Sequence, residues 1–190
     1  MDKVKNILLV GVGGQGIILA SKLLSKGLMD AGYDVKMSEV HGMAQRGGSV
    51  TTQVRYGKKV YSPIIGKGQA DIIVAFEKME AMRWIEYLNP NGKLVVNNYS
   101  IPSVPILTGE AQYPKDILDE LKDKVDTKVI DAANEARELG NIRTQNVIML
   151  GSLSKALGLD EVDWEGVIKE LVKEKYIDIN IKAFHRGREL

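Results

Sequence analysis

The residues best suited to chemistry fall in two glycine-rich segments. The first is Gly11-Val12-Gly13-Gly14-Gln15-Gly16, which follows the apolar run Ile7-Leu8-Leu9-Val10 and opens an apolar-periodic stretch. A glycine turn between a strand and a helix brings backbone N–H groups and the helix N-terminus up to an anion. Each glycine removes a Cβ that would block the ligand or the turn. Gly11, Gly13 and Gly16 satisfy G-x-G-x-x-G, Gly14 adds freedom, and the Gln15 amide can donate a hydrogen bond. The pattern suits an anion or nucleotide, and it also suits a tight turn with no ligand.

The second segment is His41-Gly42-Met43-Ala44-Gln45-Arg46-Gly47-Gly48-Ser49. Arg46 offers a planar fork of donors matched to phosphate or carboxylate. Gly47 and Gly48 let a ligand or a partner backbone approach it, and Gln45 and Ser49 add polar groups. His41 is either a ligand contact or proton donor, or a residue that holds its own loop. Glu39 follows Gly16 by 23 residues, a spacing compatible with the acidic ribose-binding residue of a dinucleotide fold. A strand-end carboxylate paired with a basic neighbour is the alternative. The binding candidates are therefore Gly11, Gly13, Gly14, Gln15, Gly16, Glu39, His41, Gln45, Arg46, Gly47, Gly48 and Ser49. No residue is assigned to catalysis and none to a metal. Asn97-Asn98-Tyr99-Ser100 either lines the same crevice or forms a polar turn. Arg143-Thr144-Gln145-Asn146 reads mainly as a helix cap.

The elements that position these residues follow from periodicity. Residues 4–10 read as a buried strand and 15–31 as a helix stopped at Gly32. Residues 34–40 form a second strand. Residues 49–56 alternate, with Val50, Thr52, Val54 and Tyr56 on one face, and Val60-Tyr61-Ser62 is expected to return as a short hairpin strand. Residues 71–76 are a strand of parallel-sheet type, 78–88 a helix, Asn89-Pro90-Asn91-Gly92 a turn, and 93–97 a strand. Residues 101–114, with Pro102, Pro105 and Pro114, are expected to be irregular. A helix over 115–124, a strand over 127–130 and a helix over 131–139 follow. Residues 146–157 are apolar nearly all round and predict a buried helix. Asp163 predicts an N-cap for a helix over 164–174, and a last helix spans 175–187.

Strands alternating with helices predict an α/β fold. The expected architecture is a Rossmann-like, mostly parallel sheet with helices on both faces, a short antiparallel insertion and C-terminal helices. One domain is expected over 1–190, with 141–190 a helical extension packed on it. Ligands bind at the carboxyl ends of strands in such folds, and both glycine segments lie there.

Composition removes several functions. The 190 residues carry 26 Lys+Arg against 25 Asp+Glu, so no global field argues for nucleic acid or a membrane surface. Aromatics are few, which argues against stacking platforms for single strands. No apolar run reaches the roughly 18 residues of a membrane span. Met1 to Asn6 show no signal peptide pattern, and the cytoplasm is the expected location. There is no cysteine, which excludes disulfides, cysteine nucleophiles and thiolate-held clusters in this chain. His41 and His185 are the only histidines.

The two segments carry a family resemblance. Gly11-Val12-Gly13-Gly14-Gln15-Gly16-Ile17, followed by Glu39-Val40-His41-Gly42-Met43-Ala44-Gln45-Arg46-Gly47-Gly48-Ser49-Val50, resembles the gamma-type domain of 2-oxoacid:ferredoxin oxidoreductases. The His-Gly-Met-Ala-Gln-Arg-Gly-Gly form is similar to the indolepyruvate branch and its small, beta subunit. Thr144-Gln145-Asn146-Val147 and Lys182-Ala183-Phe184 fit the same pattern, so the resemblance covers essentially the whole chain. It implies oxidative decarboxylation of an aryl pyruvate to an acyl-CoA, with ferredoxin as electron acceptor. It also implies a large alpha subunit carrying thiamine diphosphate and [4Fe-4S] clusters, assembled with this chain as a heterotetramer. Coenzyme A, a substrate, would be contacted here, and no cofactor would be covalently held by this chain. Two other readings stay open: a stand-alone NAD(P)-dependent dehydrogenase, and a nucleotide-binding regulatory module.

Overall fold

In the computed structural model, residues 3–40 and 47–190 are described. Six strands form one sheet in the order β2-β3-β1-β4-β5-β6. They are β1 (Lys5–Val12), β2 (Asp34–Val40), β3 (Ser49–Gly57), β4 (Ala70–Ala75), β5 (Leu88–Asn97) and β6 (Asp126–Ile130). β1, β4, β5 and β6 pair in parallel, while β3 runs antiparallel to both β1 and β2. The helices are α1 (Ile17–Asp30), α2 (Lys78–Trp84), α3 (Val104–Leu107), α4 (Ile117–Lys124), α5 (Ala132–Glu138), α6 (Gln145–Leu157), α7 (Trp164–Leu171) and α8 (Ile177–Glu189). Among the described residues, no helix is long and apolar enough to cross a membrane.

Apolar runs become central strands because both sheet faces are covered. Ile7 and Leu9 of β1 enter one core with α1, α5, α6, α7 and α8. Leu8 and Val10 enter a second core on the other face, with α2 and α4. The period of two therefore splits a single run between two layers.

The antiparallel element is larger than its alternation implies. β3 has nine residues and lies inside the sheet, between β1 and β2. Val50, Val54 and Tyr56 are buried in the α1-side core, as the alternation predicts. The hairpin strand expected at Val60-Tyr61-Ser62 does not form. Side-chain bonds hold that segment across the sheet instead. The Val60 N–H donates to the Asp34 carboxylate at 2.9 Å, and Arg55 donates to the carbonyls of Ser62 and Ile64. The turn at Asn89-Pro90-Asn91-Gly92 is absorbed into β5 as an irregularity, because the β4 register jumps from Ala70↔Leu88 to Ile72↔Lys93. Its local chemistry is still that of a turn, with Asn91 N–H donating to Asn89 Oδ1 at 2.9 Å. Residues 101–114 are irregular except for the single turn of α3.

The helix boundaries follow their caps. α6 is buried along Gln145 to Ser154, as expected of a helix apolar on all sides. Asp163 caps α7 by accepting from Gly166 N–H at 3.0 Å, and the helix stops at Leu171, short of 174. Asp163→Ala should lower stability by about 1 kcal/mol, or roughly 2–4 °C in melting temperature for a chain of this size. Thermal denaturation followed by circular dichroism checks it, and an unchanged midpoint would contradict the cap.

Candidate anion-binding site

The turn after β1 is built by hydrogen bonds that reach far along the chain. Gln15 is buried. Its Oε1 accepts from Val12 N–H at 2.8 Å, and its Nε2 donates to the Phe76 carbonyl at 2.7 Å. The amide that sequence offered to a ligand thus ties the turn to the end of β4. Gly11 also lies beneath the surface. A Cβ there would meet Gln15 Oε1 at 2.7 Å, Ile17 Cδ1 at 2.8 Å and Phe76 Cβ at 2.9 Å, so this glycine serves packing.

Gly14 and Gly16 are different. Gly14 has φ +102°, with no atom within 4 Å of where a Cβ would stand, so its backbone is open. Gly16 is the N-cap of α1 at φ +79°, and no side chain caps the helix. The first helical bond is Ala20 N–H to the Gly16 carbonyl, so the N–H groups of Ile17, Ile18 and Leu19 precede the helix's own ladder. Fourteen residues of aligned peptide dipoles end here. Such an uncapped N-terminus favours an anion.

The second glycine segment is joined to the first, since Gly13 N–H donates to the Gly48 carbonyl at 2.9 Å. His41, Gln45 and Arg46 lie outside the described residues. Gly47 has φ +90° and lies exposed at the approach to β3. Ser49 has a task the sequence did not indicate. Its hydroxyl donates to the Glu80 carboxylate, which also accepts from Arg83 Nε at 3.0 Å and Trp84 Nε1 at 3.3 Å. Ser49 thereby ties the end of the loop to α2, and the buried Glu80 is satisfied by its partners. Glu39 sits at the end of β2 opposite Thr52, and the Ser21 hydroxyl of α1 donates to its Oε1 at 3.3 Å.

Two clefts meet at the turn. One, of about 270 Å3, lies between Gly13, Gly14 and Ile18 on one side and Val40, Val50 and Thr52 on the other. Its walls are largely apolar. The other, of about 460 Å3, runs from Gly14, Gly16 and Leu19 to Arg143, Gln145 and Asn146. Asn146 Nδ2 donates to the Gly16 carbonyl at 3.0 Å across 130 residues of sequence. The segment read as a helix cap therefore forms one wall of the site.

Beneath this wall Asn97 is fully buried. Its Oδ1 accepts from Ala132 N–H at 3.1 Å, and its Nδ2 donates to the Phe76 carbonyl and to Gln145 Oε1. A second buried carboxylate, Glu77, begins α2. It accepts from the N–H groups of Glu80 and Ile101 and from the Tyr113 hydroxyl. Burial and this bond push the Tyr113 phenol well above its ordinary range, so it stays a donor. Glu77 is therefore structural. Among the described residues, no group of three or more acidic, histidine or cysteine side chains is placed to hold a metal. Among the described residues, the site offers donors for an anion and no nucleophile–base pair.

The comparisons with known proteins agree with this architecture. The family model for pyruvate ferredoxin/flavodoxin oxidoreductase matches residues 6–190. The indolepyruvate oxidoreductase subunit IorB of Thermococcus kodakarensis is 44% identical, with 96% of this chain and 93% of that protein covered. The subunit of the same name from Archaeoglobus fulgidus is 40% identical over 96% and 92%. Among solved structures, the gamma subunit of a keto/oxoacid ferredoxin oxidoreductase from Geobacter sulfurreducens superposes with a TM-score of 0.75 at 22% identity, covering 98% and 95% of the two chains. The 2-oxoglutarate:ferredoxin oxidoreductase of Magnetococcus marinus, solved with 2-oxoglutarate, coenzyme A and succinyl-CoA, has a TM-score of 0.78 at 21% identity, covering all of this chain and 31% of that one. At those identities the two structures speak for the fold, a six-stranded α/β sheet shared with gamma subunits. The sequence relatives and the family model decide the rest: the chain belongs to the pyruvate ferredoxin/flavodoxin oxidoreductase family, where relatives at 40–44% identity are indolepyruvate oxidoreductase subunits.

Proposed function

We propose that this chain is the small subunit of a ferredoxin-dependent oxidoreductase that converts an aryl pyruvate, indolepyruvate by its relatives' names, to the acyl-CoA. Its share of the work is to hold coenzyme A. The observation that carries this reading is the uncapped N-terminus of α1 behind an open Gly14, with an apolar cleft on one side and a donor-lined cleft on the other. Coenzyme A matches that combination. Its diphosphate suits the helix N-terminus, and its adenine or pantetheine arm suits walls of Ile18, Val40 and Val50. A family neighbour has been solved with coenzyme A bound. Bound there, coenzyme A supplies the thiol that takes the acyl group. The residues of this chain fix the phosphates, exclude water from the apolar arm and hold the turn rigid through Gln15. Thiamine diphosphate and [4Fe-4S] clusters belong, in this reading, to a large partner subunit in a heterotetramer, with ferredoxin as acceptor. A chain without cysteine is consistent with that division.

The runner-up is an NAD(P)-dependent dehydrogenase, favoured by Glu39 at the end of β2. Arg46→Ala separates the two. A charge-assisted phosphate contact contributes about 1.5–3 kcal/mol. The apparent coenzyme A affinity of the assembled enzyme should then weaken by roughly 10- to 150-fold. Decarboxylation without coenzyme A should change far less. Glu39→Ala should leave coenzyme A dependence near that of the wild type. Coenzyme A titration of ferredoxin reduction is the measurement, beside NAD(H) titration of the lone chain. Unchanged coenzyme A dependence in Arg46→Ala, with tight NAD(H) binding lost in Glu39→Ala, would establish the dehydrogenase instead.

A further inference from the structure

The geometry points to Arg143 and Gln145 as the phosphate-holding wall of the site, gripping the diphosphate of coenzyme A from the side opposite the apolar cleft. This rests on the coenzyme A reading and adds two residues to it.

Three observations converge on the cleft between α1 and the start of α6. Gln145 is nine-tenths buried, yet it forms part of the cleft wall. Its orientation is fixed by a chain of bonds with only one consistent assignment. Ala132 N–H can only donate, so the Asn97 atom it meets is the oxygen. Asn97 Nδ2 is then a donor, so the Gln145 atom at 3.2 Å is its oxygen. That leaves the Gln145 NH2 group without an acceptor among the described residues. Gln145 Nε2 is not among the side-chain atoms buried without a partner, so this donor stays accessible at the cleft wall, where a ligand can accept from it.

Arg143 lies on the same wall. Its backbone N–H donates to Asn141 Oδ1, while its exposed guanidinium has no hydrogen bond or ion pair among the described residues. The third contribution is the free first turn of α1, reached past Gly14 and Gly16. Among the described residues, no carboxylate lines this cleft. A guanidinium fork, an amide NH2 and a helix N-terminus together select a phosphate-type anion. The two clefts share Gly14 and Gly16. A ligand whose diphosphate sits at the turn therefore places its apolar part beside Ile18 and its phosphate oxygens toward Arg143.

The test uses the reconstituted complex with three acyl acceptors: coenzyme A, dephospho-coenzyme A and pantetheine. The first two carry the diphosphate, and the third carries no phosphate. Arg143→Ala should raise KM for coenzyme A and for dephospho-coenzyme A alike, by roughly 10- to 100-fold, with kcat little changed and KM for pantetheine unmoved. Arg143→Lys should recover part of the loss, because charge returns without the fork. Gln145→Glu turns a donor into a second anion. It should raise both phosphate-dependent KM values further than Arg143→Ala does, and thermal melting confirms that the variant is folded. If coenzyme A alone is affected, Arg143 meets the 3′-phosphate and the assignment fails. If pantetheine suffers equally, or the complex fails to assemble, the residue is structural and the assignment also fails. Unchanged KM values in Arg143→Ala, in a wild type that strongly prefers coenzyme A to pantetheine, overturn this assignment but spare the coenzyme A reading. A wild type with no preference for phosphate-bearing acceptors overturns both.

Discussion

Gly187→Val is expected to cost on the order of 3 kcal/mol or more, at the upper end of the range for overpacking a filled core. α8 crosses α6 with the two backbones in contact. A Cβ at Gly187 would fall on the Ile148 carbonyl of α6, and a Cβ at Gly151 would fall on the Phe184 carbonyl of α8. The two glycines thus permit one crossing from both sides. The atoms in the way are backbone, so no rotamer change relieves the clash. α6 also cannot retreat, because Val147, Ile148, Met149, Leu150 and Leu153 are buried in the α1-side core. Domains hold only about 5–15 kcal/mol in total. The variant should therefore melt roughly 6–12 °C lower than the parent. Lys182→Ala, at an exposed position on the same helix, should stay within about 0.5 kcal/mol. Urea or thermal denaturation of both decides it. A Gly187→Val protein with the parental midpoint would mean that the helices do not cross this closely. The effect should also reach the site, because the first turn of α6 supplies Gln145 and Asn146 to the donor-lined cleft.

That crossing shows where sequence stops being legible. The buried character of α6 was readable from its apolar residues on all sides, and its small residues permitted close approach. Nothing local said that α8 would be the neighbour or that Gly187 would face Gly151. The same limit applies to the sheet. The runs at Ile7 to Val10 and Ile72 to Ala75 declare themselves as strands, but strand order is a long-range property. The alternation in β3 is the same for a peripheral hairpin as for an interior strand paired on both sides. Pro90 and its two asparagines gave a correct local turn, and the ladder then resumed around it.

The site divides along the same line. The glycine turn was visible because strand, glycines and helix are contiguous. The roles within it were not. Gln15 looked like a ligand donor until its partner proved to be Phe76, 61 residues away. Ser49 looked like part of a binding loop until it met Glu80. Arg143 looked like a cap because its neighbours in space, Gly14 and Gly16, are well over a hundred residues away in sequence. Residue types state what chemistry is possible, and only the fold states which group is left free to do it.

The lone chain is expected to oxidise no 2-oxoacid, with turnover appearing only when a large subunit is added. This is an all-or-none effect, and it follows from residue types. Oxidative decarboxylation to an acyl-CoA releases two electrons, which need a centre that can hold and pass them. This chain has no cysteine to bind a cluster, and its described residues bring together no alternative ligand set. Its donors suit a phosphate ligand, which neither stores electrons nor stabilises a carbanion. Some large apolar side chains are available for a partner to cover. Tyr61 and Ile64 stand exposed on the segment after β3, and Val104 and Leu107 on α3 are each more than 70% exposed. Only where such side chains form a contiguous patch do they mark a surface awaiting a partner. The purified chain should therefore show only background reduction of ferredoxin with 2-oxoacid and coenzyme A. It should melt higher once the partner is bound, since anything that binds only the folded state stabilises it. The measurement is ferredoxin reduction and melting temperature of the chain alone and after titration with the proposed large subunit. Turnover by the chain alone would overturn the division of labour. A melting temperature indifferent to the partner would overturn the obligate interface.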